Sequence, residues 1–249
     1  MKLRTTLLLS TLAISGAAFA QSAAPTPPYT LSFNVGAVTD YRYRGISQSR
    51  LKPALQGGID FAHSSGFYIG TWASTIKWIK DAGGGASTEI DVYLGYKNTV
   101  GALGYDVGFL RYNYPSHDLS VSPNTNEVYG ALTFGPATLK YSHSTSNLFG
   151  FSDSKGSGYL DLSATFDLGS GWSVVPHIGH QKIDGAGNGD FSYTDYSIAL
   201  NKDFGNGLVA SLTAVDTNAK KIGGVPVYRA PNGKDLGKAG LVAGIKYSF

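Results

Sequence analysis

The sequence predicts an all-β protein. The expected fold is a transmembrane, antiparallel, up-and-down β-barrel of about twelve strands, with N- and C-termini both periplasmic. Three observations carry this. Apolar and polar residues alternate with period two, in segments near the roughly 9–11 residues that a tilted strand needs to cross a bilayer. Short turns and long connections alternate strictly between those segments. The last segment sets Ala239, Leu241, Ala243, Ile245, Tyr247 and Phe249 on one face. Gly240, Gly244, Lys246 and Ser248 fall on the other, with Val242 the exception. Such a strand suits a wall between lipid and a polar lumen.

The first residues predict export. Lys2 and Arg4 precede an apolar run from Leu7 to Ile14, and Ala18-Phe19-Ala20 offers a cleavage site before Gln21. This is the pattern of a secretory signal peptide over residues 1–20, too short to span a membrane. Residues 21–29, rich in Ala and Pro, read as a flexible lead-in. The barrel is expected over 30–249.

Composition agrees. Of 249 residues none is Cys and one is Met, which excludes disulfide scaffolds, Cys-ligated metals and Cys nucleophiles. The formal charge of +3 falls by two when Lys2 and Arg4 leave, so the mature chain is near neutral and a poor nucleic-acid binder. Charged residues are 15% of the chain, against roughly 25% in soluble domains. No later segment approaches the roughly 20 apolar residues of a membrane helix. A membrane protein of this sequence must therefore be a closed barrel, which satisfies its backbone hydrogen bonds in lipid.

The strands follow in order. The first is expected from about Thr30 to Arg44, with Leu31, Phe33, Val35, Tyr41 and Tyr43 opposite Ser32, Asn34, Asp40, Arg42 and Arg44. The second opposes Leu55, Ile59 and Phe61 to Gln56, Gly58 and Asp60. The third, Phe67 to Trp78, carries aromatics on both faces. The fourth opposes Ile90, Val92 and Leu94 to Glu89, Asp91 and Tyr93. The fifth sets Leu103, Tyr105, Val107 and Phe109 against Gly104, Asp106 and Gly108. Then Val128, Leu132 and Phe134 oppose Glu127 and Tyr129, and Leu139 and Tyr141 oppose Lys140 and Ser142. Leu160 and Leu162 oppose Tyr159 and Asp161. Trp172, Val174 and Ile178 oppose Ser173, His177 and Gln181, and Tyr196, Ile198 and Leu200 oppose Asp195, Ser197 and Asn201. Leu208, Ala210 and Leu212 oppose Ser211 and Thr213, and the strand ending in Phe249 completes the count.

Ser64-Ser65-Gly66, Gly135-Pro136 and Gly205-Asn206-Gly207 are among the tight turns, and polar loops such as Pro115 to Thr125 and Asn218 to Gly237 lie between them. Alternation alone leaves the inward face open, because a soluble barrel has the same period. The polar faces hold Asp, Ser, Gly and Tyr rather than Lys and Glu. Aromatics recur at strand ends as interfacial girdles do, from Tyr41 and Tyr43 to Trp172 and Tyr247. Both favour apolar faces outward.

The stretch Ala37 to Ser74 resembles the TorF family of porin-like proteins of proteobacteria. Asp40-Tyr41-Arg42-Tyr43-Arg44-Gly45-Ile46-Ser47-Gln48, Pro53-Ala54-Leu55-Gln56-Gly57-Gly58 and Gly66-Phe67-Tyr68 with Gly70-Thr71-Trp72 carry the resemblance. Glu89-Ile90-Asp91-Val92-Tyr93 and Arg111-Tyr112-Asn113-Tyr114-Pro115 look like later landmarks. The resemblance implies a barrel in the outer membrane of a Gram-negative cell and passive transport.

With apolar faces outward, the lumen-lining set is Asp40, Arg42, Arg44, Gln56, Asp60, Glu89, Asp91, Asp106, Glu127, Lys140, Asp161, His177, Asp195 and Lys246. Charges in a narrow lumen focus the field on passing ions. The other use of Arg42 and Arg44 is to brace the wall through Asp40 and Asp60. Tyr247 and Phe249 resemble the terminal signal read by the barrel-assembly machinery. The expected partners are outer-membrane lipid, that machinery and a small polar solute or ion. No cofactor is expected. A non-conducting structural or adhesive barrel is the alternative, and an outer-membrane enzyme is a weaker one. His143 cannot pair with adjacent Ser142 or Ser144, which point to the opposite face, and His177 and His180 lack a third ligand at metal spacing.

Overall fold

A computed structural model describes residues 27–249. The predicted signal peptide and the first six residues of the lead-in lie outside the described residues.

Twelve strands form the wall. They are β1 (Tyr29–Val38), β2 (Ala54–His63), β3 (Phe67–Thr75), β4 (Thr88–Val100), β5 (Leu103–Asn113) and β6 (Thr125–Phe134). They continue with β7 (Ala137–Ser144), β8 (Gly158–Ala164, resuming as Phe166–Gly169), β9 (Trp172–Lys182), β10 (Tyr193–Asp203), β11 (Leu208–Thr217) and β12 (Gly240–Ser248). Each pairs antiparallel with its neighbours in sequence, and β1 pairs with β12, Asn34 opposite Ser248 and Val38 opposite Gly244. The barrel is closed, so no strand edge is left to aggregate. The expected closed, up-and-down antiparallel barrel and its strand count hold.

The two faces sort as the alternation requires. Leu31, Val35, Leu55, Ile69, Leu94, Leu132, Leu160, Ile198, Leu241 and Ile245 are all exposed on the outside. A soluble monomer rarely exposes an apolar patch beyond a few hundred Å². A continuous apolar belt is what a lipid-facing wall needs. Phe67, Phe134, Trp172, Tyr196 and Tyr247 are exposed with it.

The tight turns gather at one end. Ser64–Gly66, Gly101–Ala102, Gly135–Pro136, Ser170–Gly171 and Phe204–Gly207 lie there, beside Tyr29 and Phe249. Gly135 has φ 57, the left-handed conformation that a two-residue hairpin demands. The six long connections occupy the other end.

Two strands are shorter than expected. β1 leaves the wall after Val38 rather than Arg44, and β3 stops at Thr75 rather than Trp78. In both places the backbone exchanges ladder bonds for bonds to residues of the β1–β2 connection. The Tyr41 amide donates to Ser49 Oγ at 2.9 Å, and Lys77 and Trp78 amides both donate to the Gln48 carbonyl. A one-turn helix α1 (Trp78–Asp81) follows β3. Tyr41 and Tyr43, expected in the exterior girdle, sit inside the barrel, where Tyr41 packs with Ile76, Ile79, Tyr112 and Tyr114 as a core beneath the loops. Tyr-x-Tyr alternation reads the same on a wall and on an inward loop.

Candidate functional site: a partitioned lumen

The β1–β2 connection, residues 39–53, folds into the barrel. It contains a small hairpin in which Arg42 faces Ser47 and Tyr43 faces Ile46. Arg44 and Gly45 form its two-residue tip, at φ 46 and φ 79. Two positive φ values in a row define a turn that suits Gly and strains Arg. A Cβ at Gly45 would lie 2.6 Å from Thr217 Cγ2 and 2.7 Å from Asp195 Cβ. The tip therefore crosses the lumen and touches the wall at β10 and β11, and a side chain at Gly45 does not fit.

Several ties hold the hairpin. Asp40 accepts from Ser47 Oγ at 2.5 Å and from Arg42 Nε at 2.5 Å, while Arg42 Nη1 donates to the carbonyls of Gly45 and Leu236, each at 2.9 Å. Tyr41 and Tyr114 hydroxyls both donate to Glu89, at 2.6 and 2.7 Å. Arg44 reaches across to β6 and β9. Its Nη2 contacts both Glu127 oxygens, at 3.0 and 2.8 Å, and its Nη1 donates to Gln181 Oε1 at 2.6 Å. The guanidinium also lies 4.2 Å from the Tyr159 ring centroid, a cation–π distance. Burial opposes the Arg44 charge, but the Glu127 carboxylate overrides it and holds its pKa above the ordinary value. Burial pushes the Tyr43 hydroxyl well above its usual range, so it stays protonated.

The hairpin divides the interior. On its turn-side, a cavity of about 630 Å³ is lined by Asp40, Arg42, Arg44, Gln56, Lys140, Asp161, His177 and Asp195, with Trp72, Tyr112 and Tyr159. A second, of about 270 Å³, lies towards the turns, with Asn34, Asn201 and Lys246 in its wall. Both share Val38, Gln56, Trp72 and Ser211, so they adjoin, and the two together make up the lumen passage on this side of the hairpin. On the loop side lies a separate cavity of about 310 Å³, and Tyr43 is the one lining residue common to it and the lumen.

One side of the passage is packed and the other open. Tyr93 donates to Asp60 at 2.5 Å, Tyr68 donates to Asp106 at 2.6 Å and also bonds Tyr129, and Lys140 Nζ lies 4.0 Å from the Tyr129 ring. These rings lie flat over glycines of adjacent strands: a Cβ at Gly70 would come within 2.5 Å of the Tyr93 ring. The abundance of Tyr and Gly is thus one packing device. Opposite, Ser197, Ser211 and Thr213 leave space.

The expected lumen set is placed as follows. Asp40, Arg42, Arg44, Gln56, Lys140, Asp161, His177, Asp195 and Lys246 line the passage. Asp60 and Asp106 are bonded by tyrosine hydroxyls. Glu89, Asp91 and Glu127 are almost wholly buried and line neither cavity of the passage. Arg42 and Arg44 are not wall residues, and Asp60 is not their partner. Arg42 pairs with Asp40, and Arg44 with Glu127. His177 lies between Asp161 (2.6 Å) and Asp195 (3.6 Å). Gln181 and Trp72 also belong to the site, though the expected lumen set did not include them. Gln181 was visible only as one polar position on β9, and Trp72 was obscured by the two aromatic faces of β3.

The loop-side cavity was not expected at all. Every long connection gives it an apolar residue: Ile46, Trp78, Tyr114, Phe149, Ile183 and Tyr228 are examples. Trp78 and Tyr114 pack edge to face at 5.0 Å, and Phe191 packs against Phe151 at 4.9 Å and Tyr228 at 5.8 Å.

The chain belongs to the Gcw_chp family, described as bacterial proteins of unknown function, whose profile matches residues 22–249. No match to a curated protein sequence was found. Among solved structures the chain is similar to the KdgM porin in complex with disordered oligogalacturonate, at TM-score 0.56 and 10% identity. It is also similar to the NanC porin, at TM-score 0.53 and 10% identity. Each comparison covers 88% of this chain and 99% of the other. Likeness at this identity is likeness of fold.

Proposed function

We propose that this member of the family is an outer-membrane porin-like channel for passive diffusion of small polar solutes or ions. The observation that carries the reading is the pair of adjoining, polar-lined cavities that run from Arg44 down to Lys246 inside a barrel whose exterior is apolar. The shared fold with porins and the resemblance of Ala37–Ser74 to the TorF porins support it. Short turns and both termini face the periplasm, and the long loops face outside. Tyr247 and Phe249 are the residues the assembly machinery reads.

The hairpin makes the wild-type opening narrow. A non-conducting barrel is the second reading, and the observation favouring it is that the Arg44–Gly45 tip reaches Asp195 and Thr217. Purified protein in a planar bilayer separates them. Discrete, salt-dependent conductance steps are expected, and a protein that inserts but gives none at any voltage rejects the channel.

A further inference from the structure

The loop-side cavity has features that the passage does not need. Its lining is mostly aromatic and aliphatic, whereas the passage beneath it is polar. Water gains little in such a cavity, and an apolar ligand gains from burial. Benzene fills an apolar cavity of about 150 Å³ in a well-studied case, so about 310 Å³ accommodates one or two fused rings.

One charged group at the rim is left without a charged partner. Arg229 is exposed there, and among the described residues its guanidinium bonds the Pro226 carbonyl alone, at 3.1 Å. Its bridge partner Asp235 is taken by Lys221, at 3.1 Å. The cavity's carboxylate, Asp81, is already paired with Arg50. The polar demand is therefore for one anionic acceptor, and the apolar demand is for a flat ring. Sugars need several free donors and acceptors around each ring, and the Ser47, Gln48, Asp81 and Gln181 side chains of this lining are already engaged within the protein.

We infer that the loop-side cavity is a binding site for a small planar aromatic carboxylate. Its ring lies among Trp78, Tyr114, Phe151 and Tyr228, and its carboxylate is met by Arg229. As the solute class of the proposed channel this rests on that reading, and as a binding site it stands alone. Tyr43, common to cavity and lumen, is the floor against which the ring rests.

The test is calorimetric titration of the full, detergent-purified barrel with benzoate, benzyl alcohol and glucose. Benzoate is expected to bind saturably and glucose not at all. Arg229→Gln is expected to weaken benzoate roughly tenfold and leave benzyl alcohol within about twofold, as loss of one charged hydrogen bond predicts. Trp78→Leu, which removes an aromatic wall of the cavity, is expected to weaken both aromatic ligands severalfold. Arg229 is exposed, so its variant folds and decides the matter alone. No saturable benzoate binding, equal affinity in Arg229→Gln, or preference for glucose overturns the site. Bilayer recordings keep the two readings apart. Binding without conductance rejects the channel and leaves the site, and conductance without binding does the reverse.

Discussion

Replacing Arg44 with Ala removes the tie that reaches farthest across the lumen. The Arg44 and Glu127 side chains are 7% and 3% exposed. Both have left water, and each depends on the other. Without the guanidinium, Glu127 keeps, among the described residues, only the Tyr112 hydroxyl, at 3.3 Å. Breaking a buried pair from one side costs about 3–5 kcal/mol. For a chain of this size that lowers the melting temperature by about 10 °C. The hairpin tip, freed from β6 and β9, should also swing from the passage. The assay is paired: thermal unfolding followed by heat-modifiable migration, and single-channel conductance in 1 M salt. Arg44→Ala should melt earlier and conduct severalfold more. The double variant Arg44→Leu with Glu127→Leu should regain most of the stability, because an apolar pair replaces a buried ionic one at little cost. It should keep the raised conductance. Unchanged melting in Arg44→Ala refutes the strength of the tie. Lower melting with wild-type conductance refutes the hairpin as the constriction.

Replacing both Arg42 and Arg44 with Gln removes two positive charges from a passage that keeps Asp40, Asp161 and Asp195, so reversal potentials under a salt gradient should move towards cation preference. Unchanged selectivity would confine both arginines to bracing. Gly70→Ala should cost roughly 1–3 kcal/mol, because the Cβ meets the Tyr93 ring at 2.5 Å and drives it off Asp60. Thermal unfolding checks it, and a neutral result contradicts the flat stacking. Deleting Phe249 removes a ring stacked 5.8 Å from Phe33 and two backbone bonds to Phe33, each 2.9 Å. A loss of roughly 1.5–3 kcal/mol from the ring alone should appear as easier unfolding. A Cys at Asn232 should react with an impermeant thiol reagent on intact cells, and one at Asn206 should not; the reverse pattern would invert the topology.

The wall of the barrel was legible in the sequence because strand physics is local. A period of two assigns every wall residue a face, so Leu31, Val92, Leu160 and Ile245 fall on one face from spacing alone, and the composition of the polar faces with the aromatics at strand ends turned that face outward. Turn chemistry is local as well, and Gly135-Pro136 and Gly205-Asn206-Gly207 marked the tight end. The interior of the barrel was not local. Asp40, Arg42 and Arg44 were recognised as interior charges, but alternation continued past Val38 and concealed the inward turn. What turns that segment inward is a set of partners far along the chain: Glu89 for Tyr41, Leu236 for Arg42, Glu127 and Gln181 for Arg44. The loop-side cavity was hidden for the same reason. Phe151, Phe191 and Tyr228 are isolated rings in polar loops, with no spacing to relate them. Closing the barrel brings the loop ends together, and only then does a buried aromatic cluster offset the cost of ordering them. The sequence by itself determined the wall, its lipid face and its turns. Tertiary structure decided which charges pair, where the passage narrows and what the mouth can hold, because these depend on contacts between residues tens to nearly two hundred positions apart.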